Sequence, residues 1–187
     1  THTTNFFFQS LLDLNINQYH TVLFHRSSDL CTQEGKNCFD FLNKMKLKNK
    51  IKNIGVSIYS PKELDDLIEI YNFDVIQAPL NIADRRISKY WKQNYSKLKN
   101  TKLHARSVYL QGLLLKSQKE IEPKFKELIP LLDEINTQSR KLSISKSALL
   151  LNYVCSESFV ENIVIGFWSV KEIQEALKVI SSKELIQ

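Results

Sequence analysis

The alternation of apolar and polar positions divides the chain into short extended runs and longer helical ones. The clearest stretch spans residues 51–86. Residues 51–59 are β-rich and largely apolar, as a strand covered on both faces is. Ser60-Pro61-Lys62-Glu63 then has the form of a capping box with proline at the first helical position. Leu64, Leu67, Ile68 and Tyr71 follow at helical spacing and give the predicted helix one buried stripe. Asn72 and Asp74 mark a turn, and Val75-Ile76-Gln77-Ala78 opens a second strand. A connection this short joins parallel neighbours through a right-handed crossover.

The same pattern recurs along the chain. Phe7, Leu11 and Leu14 make a short helical stripe ending at Asn15-Ile16-Asn17, and residues 20–25 read as a strand closing on His25-Arg26. A helix buried through Cys38, Phe41, Leu42 and Met45 comes next, and after the central unit a basic helix covers about 84–98. Residues 102–109 read as a strand. Ile121, Phe125, Leu128, Leu132 and Ile135 mark a helix that Pro130 should kink or split. Residues 145–155 predict a further helix and 163–167 a last short strand. Ser169-Val170-Lys171-Glu172 is a second capping box, opening a helix expected to be buried through Ile173, Leu177 and Ile180. Strands alternating with helices place the chain in the α/β class, with a parallel sheet and helices outside it, as a single domain over 1–187.

Composition narrows the class. An apolar content of 43% suffices for a packed core in 187 residues. No apolar run approaches the roughly 20 residues of a membrane span, and Phe6-Phe7-Phe8 is too short for a signal-peptide core. A cytoplasmic setting without a membrane partner is expected. Cys31, Cys38 and Cys155 lack usual zinc spacing, so reduced, mostly buried thiols and no metal are expected. The net charge of +6 comes mainly from lysines within 44–52 and 89–102. Tyr90, Trp91 and Tyr95 among the second group fit the apolar face of a helix with a basic solvated face, so no nucleic-acid partner is expected. With only four glycines the chain has no Gly-rich phosphate loop, which argues against a Rossmann or P-loop site. Gly112 and Gly166 instead follow strands, where backbone can approach a ligand closely. Ser57 and Gln77 lie near the carboxyl ends of their strands, the end that carries the chemistry in closed α/β barrels.

In order and spacing these residues resemble the aldo/keto reductases, NAD(P)H-dependent oxidoreductases built on a (β/α)8 barrel. Ser10-Leu11-Leu12 followed by 20–26 is similar to the family's helix and histidine-bearing fourth strand. Gly55-Val56-Ser57 is similar to the fifth strand, and Gln77, Pro79 and Asn81 to the sixth. Ala105-Arg106-Ser107 with Gly112-Leu113-Leu114 is similar to the seventh strand and loop, and residues 163–176 to the eighth strand and the helix that grips the adenosine end of the cofactor.

The resemblance implies hydride transfer from NADP(H) or NAD(H) to a small-molecule aldehyde, ketone or sugar-like carbonyl. A tyrosine, its lysine and aspartate partners, and a histidine would assist the transfer. It assigns the histidine role, orienting and polarising the carbonyl, to His25. It places Ser57 and Gln77 on the nicotinamide carboxamide and Arg106 against the ring. Ser107, Gln111 and Gly112 would meet the pyrophosphate, Gly166, Phe167 and Ser169 the adenosine ribose, and Glu175 the adenine. The aspartate, tyrosine and lysine have no counterpart. The expectation is therefore a partial barrel, about strands 4 to 8 with the first three absent, from the carboxyl-terminal part of a longer enzyme and inactive alone. Its open, apolar sheet edges would favour self-association. The alternative is a non-catalytic barrel fragment or pseudoenzyme acting as a binding or scaffold partner. Ile58 stands where an asparagine is common, and Ala176 where one often helps hold adenine. Glu172 stands where many NADPH-preferring members carry an arginine, which predicts a weakened NADPH preference or weak cofactor binding overall.

Overall fold

A computed structural model describes residues 2–181 of the chain. Its strands are β1 (Tyr19–Phe24), β2 (Ile51–Ser57), β3 (Val75–Pro79), β4 (Lys102–Arg106) and β5 (Val160–Val164). The helices are α1 (His2–Asp13), α2 (Gln33–Leu47), α3 (Leu67–Ile70), α4 (Arg86–Gln93), α5 (Tyr95–Leu98), α6 (Ile129–Lys141), α7 (Lys146–Cys155) and α8 (Val170–Ser181). The strands form one five-stranded sheet in the order β1-β2-β3-β4-β5, with the parallel pairing that the short crossovers demand.

This corrects the expectation of a (β/α)8 barrel short of its first three strands. What folds is a five-stranded parallel sheet with helices. Glu161 and Asn162 of β5 are exposed polar residues. The side chains of β1 are half-buried except for exposed His20, and α1 packs on this strand: Tyr19 stacks edge-on against Phe7 and donates its hydroxyl to the Phe7 carbonyl at 3.1 Å.

Two compact units are distinguishable, 1–78 with 93–103, and 79–92 with 104–187. In the first, Phe39 on α2 packs its ring against Phe24, Tyr71 and Phe73, with the Tyr71 ring centroid 4.6 Å away. The Tyr71 hydroxyl is satisfied by the Leu30 carbonyl at 2.7 Å, so the aromatic core holds no stranded polar group there. Gly55 on β2 has no room for a side chain, since a Cβ would lie 2.0 Å from the Val75 carbonyl oxygen and 2.8 Å from Leu23 Cδ2. The Ser60–Glu63 capping box forms, with Glu63 Oε1 accepting from the Ser60 amide at 2.7 Å. It opens only a 3₁₀ turn, Pro61–Leu64, and α3 starts anew at Leu67.

In the second unit Leu114, Leu132, Ile135 and Leu150 form a buried cluster beneath half-buried Tyr109 and Leu110. Pro130 falls in the first turn of α6, where its missing N–H costs nothing, so the expected interruption appears as a helix start. Ser145 caps α7 by accepting from the Ala148 amide at 3.1 Å. Three other expectations are corrected. The last strand is Val160–Val164, a few residues earlier than read from the sequence. The apolar stripe of α8 is exposed, with Ile173, Leu177 and Ile180 at 41%, 55% and 59% of full accessibility, and Ala176 is the buried position. Cys31 is exposed, while Cys38 and Cys155 are half-buried. Among the described residues no helix is long and apolar enough to cross a membrane.

Candidate functional site

The carboxyl ends of β1 and β2 lie side by side in the first unit. Parallel pairing sets Phe24 opposite Val56 and, on the other side of β2, Ser57 opposite Gln77. Ser57 is buried, Gln77 half-buried, and His25, one residue past β1, is exposed. Adjacent strands are about 4.8 Å apart, so the register alone brings these three polar residues to one rim. His20 is exposed and hydrogen-bonded to Thr21 Oγ1 at 2.9 Å. His104, in the second unit, is buried and held by Asn162 Nδ2 at 3.0 Å and Glu161 at 3.4 Å, which accounts for it as a structural residue.

The second unit contains a cavity of about 720 Å³, a size typical of small-molecule and cofactor sites. One wall is the loop after β4, with Ser107, Val108, Tyr109, Gln111, Gly112 and Leu115. The opposite wall is residues 164–168, and Glu172 and Glu175 of α8 with Ser147 of α7 complete it. The loop is wound by left-handed backbone at Ser107 (φ 60°), Leu110 (47°), Gln111 (54°) and Gly112 (83°). Only glycine adopts that region freely, so three non-glycine residues there store strain that the surroundings must hold in place. Asn81 is one such support. Fully buried, it donates its amide to the Ser107 carbonyl at 3.0 Å and accepts from the Ala83 and Asp84 amides at 2.9 and 2.8 Å.

Of the residues that the sequence singled out for a cofactor, Ser107, Gln111, Gly112, Gly166, Phe167 and Glu175 line this cavity together. A Cβ added at Gly112 or Gly166 would meet nothing within 4 Å, so both glycines face open space. Arg106 ends β4 and donates to Ser107 Oγ at 3.4 Å, outside the lining. Ser169 is used as a helix cap, accepting from the Glu172 amide at 3.3 Å. Sequence reasoning passed over Asn81 as a support, and Tyr109, Ser147 and Trp168 as lining. The signal for Trp168 was its place beside the capping box, where a large apolar ring has no helix face to join. Burial, together with neighbouring Cys155, Glu175 and Glu172, pushes the Tyr109 hydroxyl up to about 12. That is the wrong direction for a residue meant to release a proton near neutral pH, so Tyr109 is a wall of the cavity and not a substitute proton donor.

No curated protein sequence matches the chain. Among solved structures it is similar to the aldo-keto reductase AKR11C1 from Bacillus halodurans in its apo form, with a TM-score of 0.74 and 14% identity over 96% of this chain and 62% of that one. It is also similar to the glycerol dehydrogenase AKR11B4 from Gluconobacter oxydans, with a TM-score of 0.65 and 19% identity over 98% of this chain and 65% of that one. These likenesses are of fold, and the chain spans a little over three fifths of the length of these solved relatives. The aldo/keto reductase family model matches residues 2–186. A match that takes in both units and the cavity alike makes the chain a member of the aldo/keto reductase family.

Proposed function

We propose that the chain serves an NAD(P)H-dependent oxidoreductase that reduces an aldehyde, ketone or sugar-like carbonyl, and that its cavity takes the adenosine and pyrophosphate portion of the cofactor. Family membership supports the oxidoreductase type. The observation that carries the finer reading is the gathering of Ser107, Gln111, Gly112, Gly166, Phe167 and Glu175 around one cavity from segments far apart in sequence. The cavity fits such a group, because two glycines leave it room while hydroxyl, amide and carboxylate side chains supply polar contacts.

When bound, the nicotinamide supplies the hydride that reduces the carbonyl carbon. The chain's own residues bind and orient. Ser57 and Gln77, opposed in register, offer a hydroxyl and an amide to the carboxamide. His25, exposed just past β1, is the residue to orient and polarise the carbonyl oxygen. Backbone amides in the loop after β4 are available to the pyrophosphate, and Asn81 fixes the Ser107 carbonyl so that the loop keeps its shape.

Gly166→Val tests the placement. The fold tolerates the side chain, since a Cβ there meets open space, whereas the cavity loses volume where the ribose would lie. Calorimetry with reduced nicotinamide dinucleotides should show binding to the unaltered chain and at least about a tenfold loss in the variant, about 1.4 kcal/mol. Equal affinity in the two would remove this cavity from the cofactor site.

A further inference from the structure

We propose that the cavity selects a ribose whose 2′-hydroxyl is free, so that the chain takes NADH in preference to NADPH. The inference rests on the cofactor reading above and specifies which cofactor. Among the described residues, the charged side chains lining the cavity are Glu172 and Glu175, and no lysine, arginine or histidine is with them. A 2′-phosphate placed there would face two carboxylates with no basic side chain among the described lining residues to offset them, and like charges at such short range repel.

Glu172 is also fixed. Its Oε2 accepts from the Trp168 amide at 2.8 Å while its own amide donates to Ser169 Oγ at 3.3 Å. A helix N-terminus normally attracts an anion through its unpaired amides. In α8 the Glu172 carboxylate stands at this end, turned to the Trp168 amide, so the protein's own negative charge opposes a phosphate placed there. Lys146, beside the lining residue Ser147, is turned to backbone, its Nζ donating to the Leu115 and Lys116 carbonyls, each at 3.2 Å. The carboxylates act across the cavity as well, since both contribute to holding the Tyr109 hydroxyl in its neutral form. A free ribose is the opposite case, because its hydroxyls donate to carboxylates.

The two tryptophans of the chain separate the readout. Trp91 is buried at 1% exposure and Trp168, at the cavity, is 97% exposed. A ligand-induced change in the solvent-exposed emission therefore reports Trp168, and Trp168→Phe should abolish it. The chain is titrated with NADH, NADPH, ADP and 2′,5′-ADP by this emission and by calorimetry. The expected result is that NADH and ADP bind at least about tenfold more tightly than their 2′-phosphorylated counterparts. Combined Glu172→Gln and Glu175→Gln should narrow that gap without unfolding α8, because glutamine can accept the same capping bond; circular dichroism checks the helix. If NADPH and 2′,5′-ADP bind as tightly as the others or more so, the selectivity is overturned while the cofactor reading stands. If none of the four binds, both fall.

Discussion

The two compact units solve the same packing problem by different means, and the difference separates a scaffold from a site. The first closes its core with rings: Phe39 sits among Phe24, Tyr71 and Phe73, and Gly55 lets β2 approach the Val75 carbonyl more closely than any side chain would allow. Its polar residues of interest, Ser57, Gln77 and His25, stand on a rim fixed by strand register. The second closes a leucine and isoleucine cluster beneath a loop held in left-handed backbone, and next to that loop it leaves a cavity. A regular sheet positions residues cheaply because neighbouring strands dictate their place. A cavity wall has no such repeat, so it depends on individual supports such as Asn81.

Phe39→Ala attacks the scaffold directly. Deleting a buried ring with three aromatic neighbours should cost about 3–5 kcal/mol, read as a lower urea midpoint. A cost below about 1 kcal/mol would mean that the ring cluster does not hold the first unit. Asn81→Ala attacks the support. It leaves the Ser107 carbonyl with the Leu110 amide and the Asp84 amide with the Asn81 carbonyl as their remaining partners, costs about 1 kcal/mol, and should also weaken nucleotide affinity because the loop relaxes. Destabilisation with unchanged affinity would assign Asn81 to the fold alone. Leu177→Ala is the smallest change. With more than half its surface already exposed, its loss should move stability by no more than about 0.5 kcal/mol. A cost of several kcal/mol would show that the α8 stripe is covered after all.

That last contrast shows where sequence reasoning reaches its limit. The apolar periodicity of Ile173, Leu177 and Ile180 is plain in the sequence, but periodicity reports a face and not what lies against it; in the structure Ala176 is the inward residue. The capping box at Ser60 was legible because both partners lie within four residues and need no distant contact, whereas at Ser169 the hydroxyl half forms and the Glu172 carboxylate accepts from the Trp168 amide instead. The length of the helix that follows was not, since the turn after Ser60 breaks before α3 begins. Trp91 as the buried ring of the basic helix followed from spacing, while Tyr95, on the same predicted stripe, is exposed because the helix is broken between α4 and α5.

By itself the sequence determined the α/β class, the approximate course of five strands, the caps that start several helices, and the family that these residues resemble in order. All of these depend on local patterns or short spacings, which tertiary contacts refine without replacing. The structure decided the single five-stranded sheet in sequence order, in place of an incomplete barrel, because strand pairing joins segments whose partners no local pattern names. It also decided which residues share a cavity. Ser107 and Glu175 meet at one wall-bound space only because a loop of left-handed residues, held by a buried asparagine, turns back toward α8. That conformation is unfavourable for each non-glycine residue taken alone and persists because the surrounding packing fixes it.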